Sequence, residues 1–141
     1  MKSRRSVRQF SGEAVPFELI ENALRAAGTA PSGANQQPWT FVVVGDPGLK
    51  ERIRVAAERE EELLYKERAS QEWLEAIEPI GTDWIKAHIT DAPYVIVVFE
   101  QAWSPGPDGT KIILIPVGYP AADAEVPDIA KKPLDEISDF R

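Results

Sequence analysis

The stretch Ala30-Pro31-Ser32-Gly33-Ala34-Asn35-Gln36-Gln37-Pro38-Trp39-Thr40-Phe41-Val42-Val43-Val44 changes character halfway along. Its first half is small and polar, with Pro31 near one end and Pro38 at the other, and reads as a loop. Small side chains let a ligand come close to the backbone, and Ser32 and Asn35 add hydrogen-bonding groups. Asn35, Gln36 and Gln37 are neutral donors and acceptors, suited to the edge of a flat polar heterocycle. A plain connector is the competing reading. Its second half, Thr40 to Val44, is apolar and β-branched and reads as a buried strand.

Upstream, Pro16 stands where a first helical turn accepts proline. Leu19, Ile20, Ala23, Leu24 and Ala27 then recur at helical spacing, and Gly28 is a stop. Downstream, Asp46-Pro47 reads as an N-cap and a first-turn proline. The spacing predicts a charged helix from there to about Glu78, interrupted at Pro79 and Gly81. A shorter helix is expected from Thr82 to about Ile89. Tyr94 to Phe99 and Ile112 to Ile115 are two more continuous apolar runs, the second ending at Pro116. The tail from Gly118 onward carries Pro120, Pro127 and Pro133 and should lie over a surface. Helices interleaved with fully apolar strands predict a sheet covered on both faces. So few elements are a thin complement for such a sheet, which points to a partner chain or to missing material.

Composition sets limits on the chemistry. The chain has 141 residues, enough for one domain over 1–141. With no cysteine there is no disulfide framework, thiolate metal site or cysteine nucleophile, and a single histidine excludes a multi-histidine metal site. The net charge of −7 argues against general nucleic-acid binding. No run is long enough to span a membrane, and a cytoplasmic protein is the default expectation. No metal site and no acid–base or nucleophilic catalytic side chain stands out.

The charge is unevenly spread. Lys2, Arg4, Arg5 and Arg8 precede any acidic residue, in the run Ser3-Arg4-Arg5-Ser6-Val7-Arg8. Guanidinium groups and a hydroxyl suit a phosphate, and an extended strand would put Arg4, Ser6 and Arg8 on one side. The alternative is a solvated basic terminus. A second cluster lies further along. Glu61 and Tyr65 are four apart, so a helix puts them on one face. They sit in an acidic run with Glu58, Glu60 and Glu62, which by itself reads as a solvated helix face. Trp73 and Trp84 could flank a lid, although packing is the commoner role of such residues.

The order Arg-Arg-Ser-Val-Arg-Gln-Phe from Arg4 to Phe10, a helix, and then Ala30 to Val44 resembles the flavin-dependent nitroreductase superfamily. Ile115-Pro116-Val117-Gly118-Tyr119-Pro120 is similar to that superfamily's closing strand and turn. Within it, Gly28 to Ala34, Trp84-Ile85-Lys86, Val126-Pro127-Asp128 and Lys131-Lys132-Pro133-Leu134-Asp135 look most like the iodotyrosine deiodinases.

The resemblance implies an α+β fold with a mixed sheet flanked by helices, and a homodimer with FMN at the interface. It implies that Arg4, Arg5, Ser6, Val7, Arg8, Ser32 and Lys131 contact FMN. Lys131 stands where arginine is usual, which keeps the charge and loses the bidentate fork. It implies that Ala34 offers a backbone contact to a substrate phenol oxygen, and that Glu61, Tyr65 and Lys86 close over the zwitterionic end. The implied reaction is reductive removal of halide from a halogenated tyrosine, with NADPH or NADH as electron donor, directly or through a reductase. A general nitro- or quinone reductase and a non-catalytic, truncated flavin-binding remnant are the alternatives. The remnant reading has a cause: Gly106 to Lys111 leads almost directly to Ile112 where the resemblance implies a further central segment, so that segment is expected to be absent near 104–112, through a deletion, a shortened gene model or an omitted piece.

Overall fold

The computed structural model describes residues 6–100 and 112–126. Arg4, Arg5 and Lys131 therefore lie outside the described residues, as does the stretch expected to lack the central segment.

Helix α1 spans Phe17–Gly28 and starts directly after Pro16. Strand β1 covers Trp39–Val44, β2 Tyr94–Glu100 and β3 Ile112–Val117. They form one sheet in the order β1-β2-β3, with β2 central and both pairings antiparallel. The implied mixed sheet is thus met only in its antiparallel part, since no described strand runs parallel to a neighbour. Pro116 continues β3 rather than ending it. That strand has a partner on one side only, so a residue without an N–H is tolerated.

Helices pack on both faces of the central strand β2, but Thr40 and Val42 of β1 stay exposed, so β1, at the edge of the described sheet, is not the buried strand expected. Val44, Val95, Val97 and Leu114 point to one side and pack on Ile53 and Ala57 of α2 (Pro47–Leu63) and on Ile89 of α4 (Ala87–Asp91). Phe41, Val43, Ile96, Val98 and Val117 point to the other and meet Val15 together with Ile20 and Leu24 of α1. The cover ends before β3 does: Ile113 and Ile115 remain 61% and 45% exposed.

The long helix expected after Asp46 is broken into pieces. Asp46 caps α2 as expected, its carboxylate accepting from Leu49 N–H at 2.7 Å. After Leu63 the helix widens into a π-turn over Leu64–Arg68, closed by Ala69 N–H donating to the Leu64 carbonyl. Ala69 is extended, and the Ser70 hydroxyl accepts from Trp73 N–H to start α3 (Gln71–Ile77). A new N-cap three residues before Trp73 is what ends the first helix. The helix expected from Thr82 is only α4. The Asp83 carboxylate takes Ile85 N–H at 2.9 Å, a local turn that competes with helix formation.

Two long-range ties fix the ends of this frame. The Lys50 ammonium is buried and donates to the Thr90 and Ala92 carbonyls, closing the C-terminal end of α4. The segment after β3 lies against the start of the chain. Phe10 bridges Pro120, Ser11 N–H donates to the Tyr119 carbonyl, and Ala121 N–H to the Gln9 carbonyl. The chain is thus tied down at Gln9–Ser11, directly after the basic run.

Candidate functional site

A cavity of about 510 Å³ opens between the N-terminal segment, the end of α2, the π-turn and the segment leading into α4. Ser6, Arg8, Glu61, Tyr65 and Lys86 all line it, although they come from three separate parts of the sequence.

Tyr65 lies in the π-turn that follows α2 and lines the cavity together with Glu61 one turn earlier. Trp73 and Trp84 meet the Tyr65 ring edge-on, with centroids 5.7 and 5.9 Å away. The Tyr65 hydroxyl donates to Thr82 Oγ1 at 3.2 Å. Both tryptophans therefore act by packing on the tyrosine that faces the cavity.

Lys86 and Glu61 form an ion pair, Nζ to Oε2 at 2.5 Å. The lysine side chain is 15% exposed and the glutamate 40%, so this pair is less open to water than an ordinary surface pair. Lys86 Nζ also donates to the Asp83 carbonyl at 2.6 Å. The backbone of Lys86 is held separately: its N–H donates to Glu58 Oε1 at 2.8 Å. The same oxygen accepts from Arg54 Nε at 2.7 Å. Those two donors hold the Glu58 carboxyl below its usual range, the Lys86 N–H being the larger influence.

Ser6 and Arg8 line the cavity and Val7 does not, but Gln9 lines it too, so the alternation expected of an extended strand is not kept past Arg8, and residues 6–9 form no regular strand. His88 is the second residue of α4 and is half-buried. Burial, followed by the positive charges of Arg8 and Lys86, lowers its pKa, against the opposing pull of Asp91 and Glu61. The Arg8 guanidinium and the Ser6 hydroxyl fit the phosphate end of a flavin mononucleotide.

Ser32 and Ala34 do not line the cavity. They belong to a strained loop nearby in sequence to β1. Ala34, Asn35 and Gln37 all have positive φ, at 51°, 55° and 48°. Ala34 and Asn35 form the centre of a tight turn closed by Gln36 N–H donating to the Gly33 carbonyl. Such conformations cost about 1–3 kcal/mol each for residues with a Cβ and persist where the backbone is put to use. The Ser32 hydroxyl accepts from Gln37 N–H at 2.9 Å, so it props the turn. Among the described residues no acceptor is found for Ala34 N–H, and Ala34 is exposed.

Sequence reasoning missed Arg54, Glu58, Thr82 and Thr90 as parts of this neighbourhood. The four-residue spacing of Arg54 and Glu58 was a visible signal for their pairing. Nothing in the sequence signalled the hydroxyls, whose partners are 17 and 36 residues away.

Known proteins resemble this chain in sequence and in fold. The Nitroreductase family profile matches residues 1–122. The iodotyrosine deiodinase of Haliscomenobacter hydrossis is 41% identical over 183 residues, covering 94% of this chain and 82% of that one. The iodotyrosine deiodinase of Nematostella vectensis is 38% identical over 189 residues, covering 97% and 72%. Both alignments are longer than the 141 residues here, so these relatives carry residues with no counterpart in this chain. A crystal structure of oxidized iodotyrosine deiodinase bound to FMN and 3-iodo-L-tyrosine superposes with a TM-score of 0.80 at 26% identity, covering 99% of this chain and 97% of that one. Sequence order, fold and comparison agree: the chain belongs to the nitroreductase family of FMN-dependent oxidoreductases, among its iodotyrosine deiodinases.

Proposed function

We propose that this protein reductively dehalogenates iodotyrosine and related halotyrosines. One observation carries the reading: Glu61, Tyr65 and Lys86 converge on a cavity that also takes Ser6 and Arg8. A carboxylate, a phenol and an ammonium in one place match an amino acid's zwitterion. The carboxylate takes the α-ammonium, Lys86 takes the α-carboxylate, and the Tyr65 hydroxyl adds a hydrogen bond. Trp73 and Trp84 hold the Tyr65 ring in place beside these contacts.

In the proposed reaction a carbon–halogen bond breaks, a carbon–hydrogen bond forms and halide leaves, consuming two electrons and a proton. FMN, when bound, supplies the electrons, which come ultimately from NADPH or NADH, directly or through a reductase. Arg4, Arg5, Ser6, Val7, Arg8, Ser32 and Lys131 are the proposed FMN contacts. The Ala34 N–H is the proposed donor to the substrate's phenolate oxygen. Its exposure and its strained, unpaired geometry support that role. A homodimer with FMN at the interface is part of the proposal, and the exposed Ile113 and Ile115 support it.

An absorption titration tests the whole reading. Desalted protein should keep oxidised flavin bands that shift or quench on adding 3-iodotyrosine. Colourless protein that does not retain added FMN would instead support the truncated remnant. Equal responses to 3-iodotyrosine and to an uncharged nitroarene would favour a general nitro- or quinone reductase.

A further inference from the structure

The Lys86 ammonium sits where the backbone at residue 86 puts it, and that backbone is non-helical, with φ −120° and ψ 41° at the entrance to α4. It is pinned from outside its own segment. Glu58, one turn before Glu61 on α2, accepts the Lys86 N–H at 2.8 Å. Arg54, a further turn back, donates from Nε to the same Glu58 oxygen. Its other nitrogen, Nη1, donates to Thr90 Oγ1 at 3.1 Å, and Thr90 Oγ1 in turn donates to the Ala87 carbonyl at 2.8 Å. These bonds form a closed loop of contacts joining α2 to both ends of α4. Glu61 and Glu58 share a helix face, so one face of α2 carries one jaw of the clamp and the anchor of the other.

We propose that Glu58 is a positioning residue for substrate recognition, fixing the height of the Lys86 ammonium above Glu61 and so the span between the two charges that read the substrate's amino-acid end. This rests on the zwitterion clamp proposed above and deepens it. Glu58 itself is 26% exposed and tied up by two donors, and it is not among the residues lining the cavity. Its influence therefore passes through the Lys86 backbone. The consequence is selective. Loosening residue 86 costs contacts to an α-carboxylate and spares a ligand that has only the ammonium.

The test compares flavin-loaded wild type, Glu58→Ala, Glu58→Gln and Lys86→Met by calorimetric titration with 3-iodotyrosine and with 3-iodotyramine, which lacks the α-carboxylate. Glu58→Ala should weaken iodotyrosine binding about tenfold and change iodotyramine binding less than twofold. Glu58→Gln keeps an oxygen acceptor for both donors and should restore most of the affinity. Equal losses for both ligands, or no loss, would overturn the positioning role. The underlying clamp is judged by Lys86→Met. If that variant does not separate the two ligands, the clamp reading fails and this inference with it. If it separates them and Glu58→Ala does not, the clamp stands and only the inference falls. Should Glu58→Ala not fold, Thr90→Val cuts the same loop elsewhere; it must lower iodotyrosine affinity and spare iodotyramine, and unchanged iodotyrosine affinity is the refuting result.

Discussion

Lys86 Nζ lies 2.5 Å from Glu61 Oε2, so each charge of the proposed clamp is the other's partner. A zwitterion entering between them replaces one ion pair by two. A ligand with a single charge replaces it by one and strands the remaining residue, a costly outcome at a half-buried site.

Glu61→Gln should therefore weaken halotyrosine binding by about tenfold, the usual worth of a charge-assisted bond. FMN retention should be nearly unchanged, because Glu61 pairs with Lys86 and with none of the proposed flavin contacts. Calorimetry with iodotyrosine and the flavin-to-protein absorbance ratio check the two halves separately. Unaltered halotyrosine affinity would remove Glu61 from the site.

Tyr65→Phe keeps the ring packed between Trp73 and Trp84 and deletes the hydroxyl that donates to Thr82. The expected stability loss is small, about 1 kcal/mol, read from the urea midpoint. Halotyrosine affinity should fall along with it. A variant with wild-type affinity would assign Tyr65 to packing alone.

Lys50→Met removes the donor shared by the Thr90 and Ala92 carbonyls. Two acceptors at the end of α4 lose their partner in a buried setting. Such a loss costs on the order of 1–3 kcal/mol. Amide exchange should accelerate first around residues 87–92, and exchange unchanged there would contradict this account.

Gly118→Ala should loosen the N-terminal segment. A Cβ at that position would lie 2.7 Å from Pro93 Cδ and 2.9 Å from Phe10 Cδ1. Overpacking of this kind costs about 1–3 kcal/mol, and the easiest release is to move Phe10 off Pro120. Faster proteolysis near residues 6–12 is the readout, compared with Gly12→Ala, where the added Cβ meets nothing.

Acid should destabilise the fold in two stages. His88 has a lowered pKa in the folded state, so the unfolded chain binds its proton more readily. Its contribution is present above the ordinary value of 6.5 and is lost as pH falls through the folded value below it. Glu58 is also lowered, so its contribution is present above 4.5 and disappears at still lower pH. Urea midpoints measured from pH 7.5 downward should show His88→Gln removing the first decline and leaving the second.

The strands were legible because apolar β-branched runs have few alternatives at this length, whereas the exposure of Val42, Ile113 and Ile115 was not, since apolar letters do not say which face a helix covers. The first turn of α2 was legible because Asp46 and Pro47 are strong local signals. The break in the charged helix was not, since a π-turn has no composition of its own and Ser70 resembles any surface serine. The site divides in the same way. Arg8, Glu61, Tyr65 and Lys86 carry chemistry in their side chains and could be named from motifs. Glu58 and Thr82 matter through what they touch, and contacts over 28 and 17 residues leave no mark on spacing. Ser32 and Ala34 were named for a ligand, and their geometry adds what the letters lacked, a turn with positive φ on two residues that bear a Cβ.

Phe99 stands opposite Ile112, so the chain leaves the sheet from β2 and returns to it on the adjacent strand β3. A connection of this kind works like a socket. Its two contacts are fixed by the ladder, and the length plugged between them adds only slowly to the entropy of closure, about 0.6 kcal/mol for each doubling. Evolution can lengthen or prune the chain at this junction while every register pair between β2 and β3 survives. Any length joined between these two strands thus leaves the β2–β3 pairing unchanged.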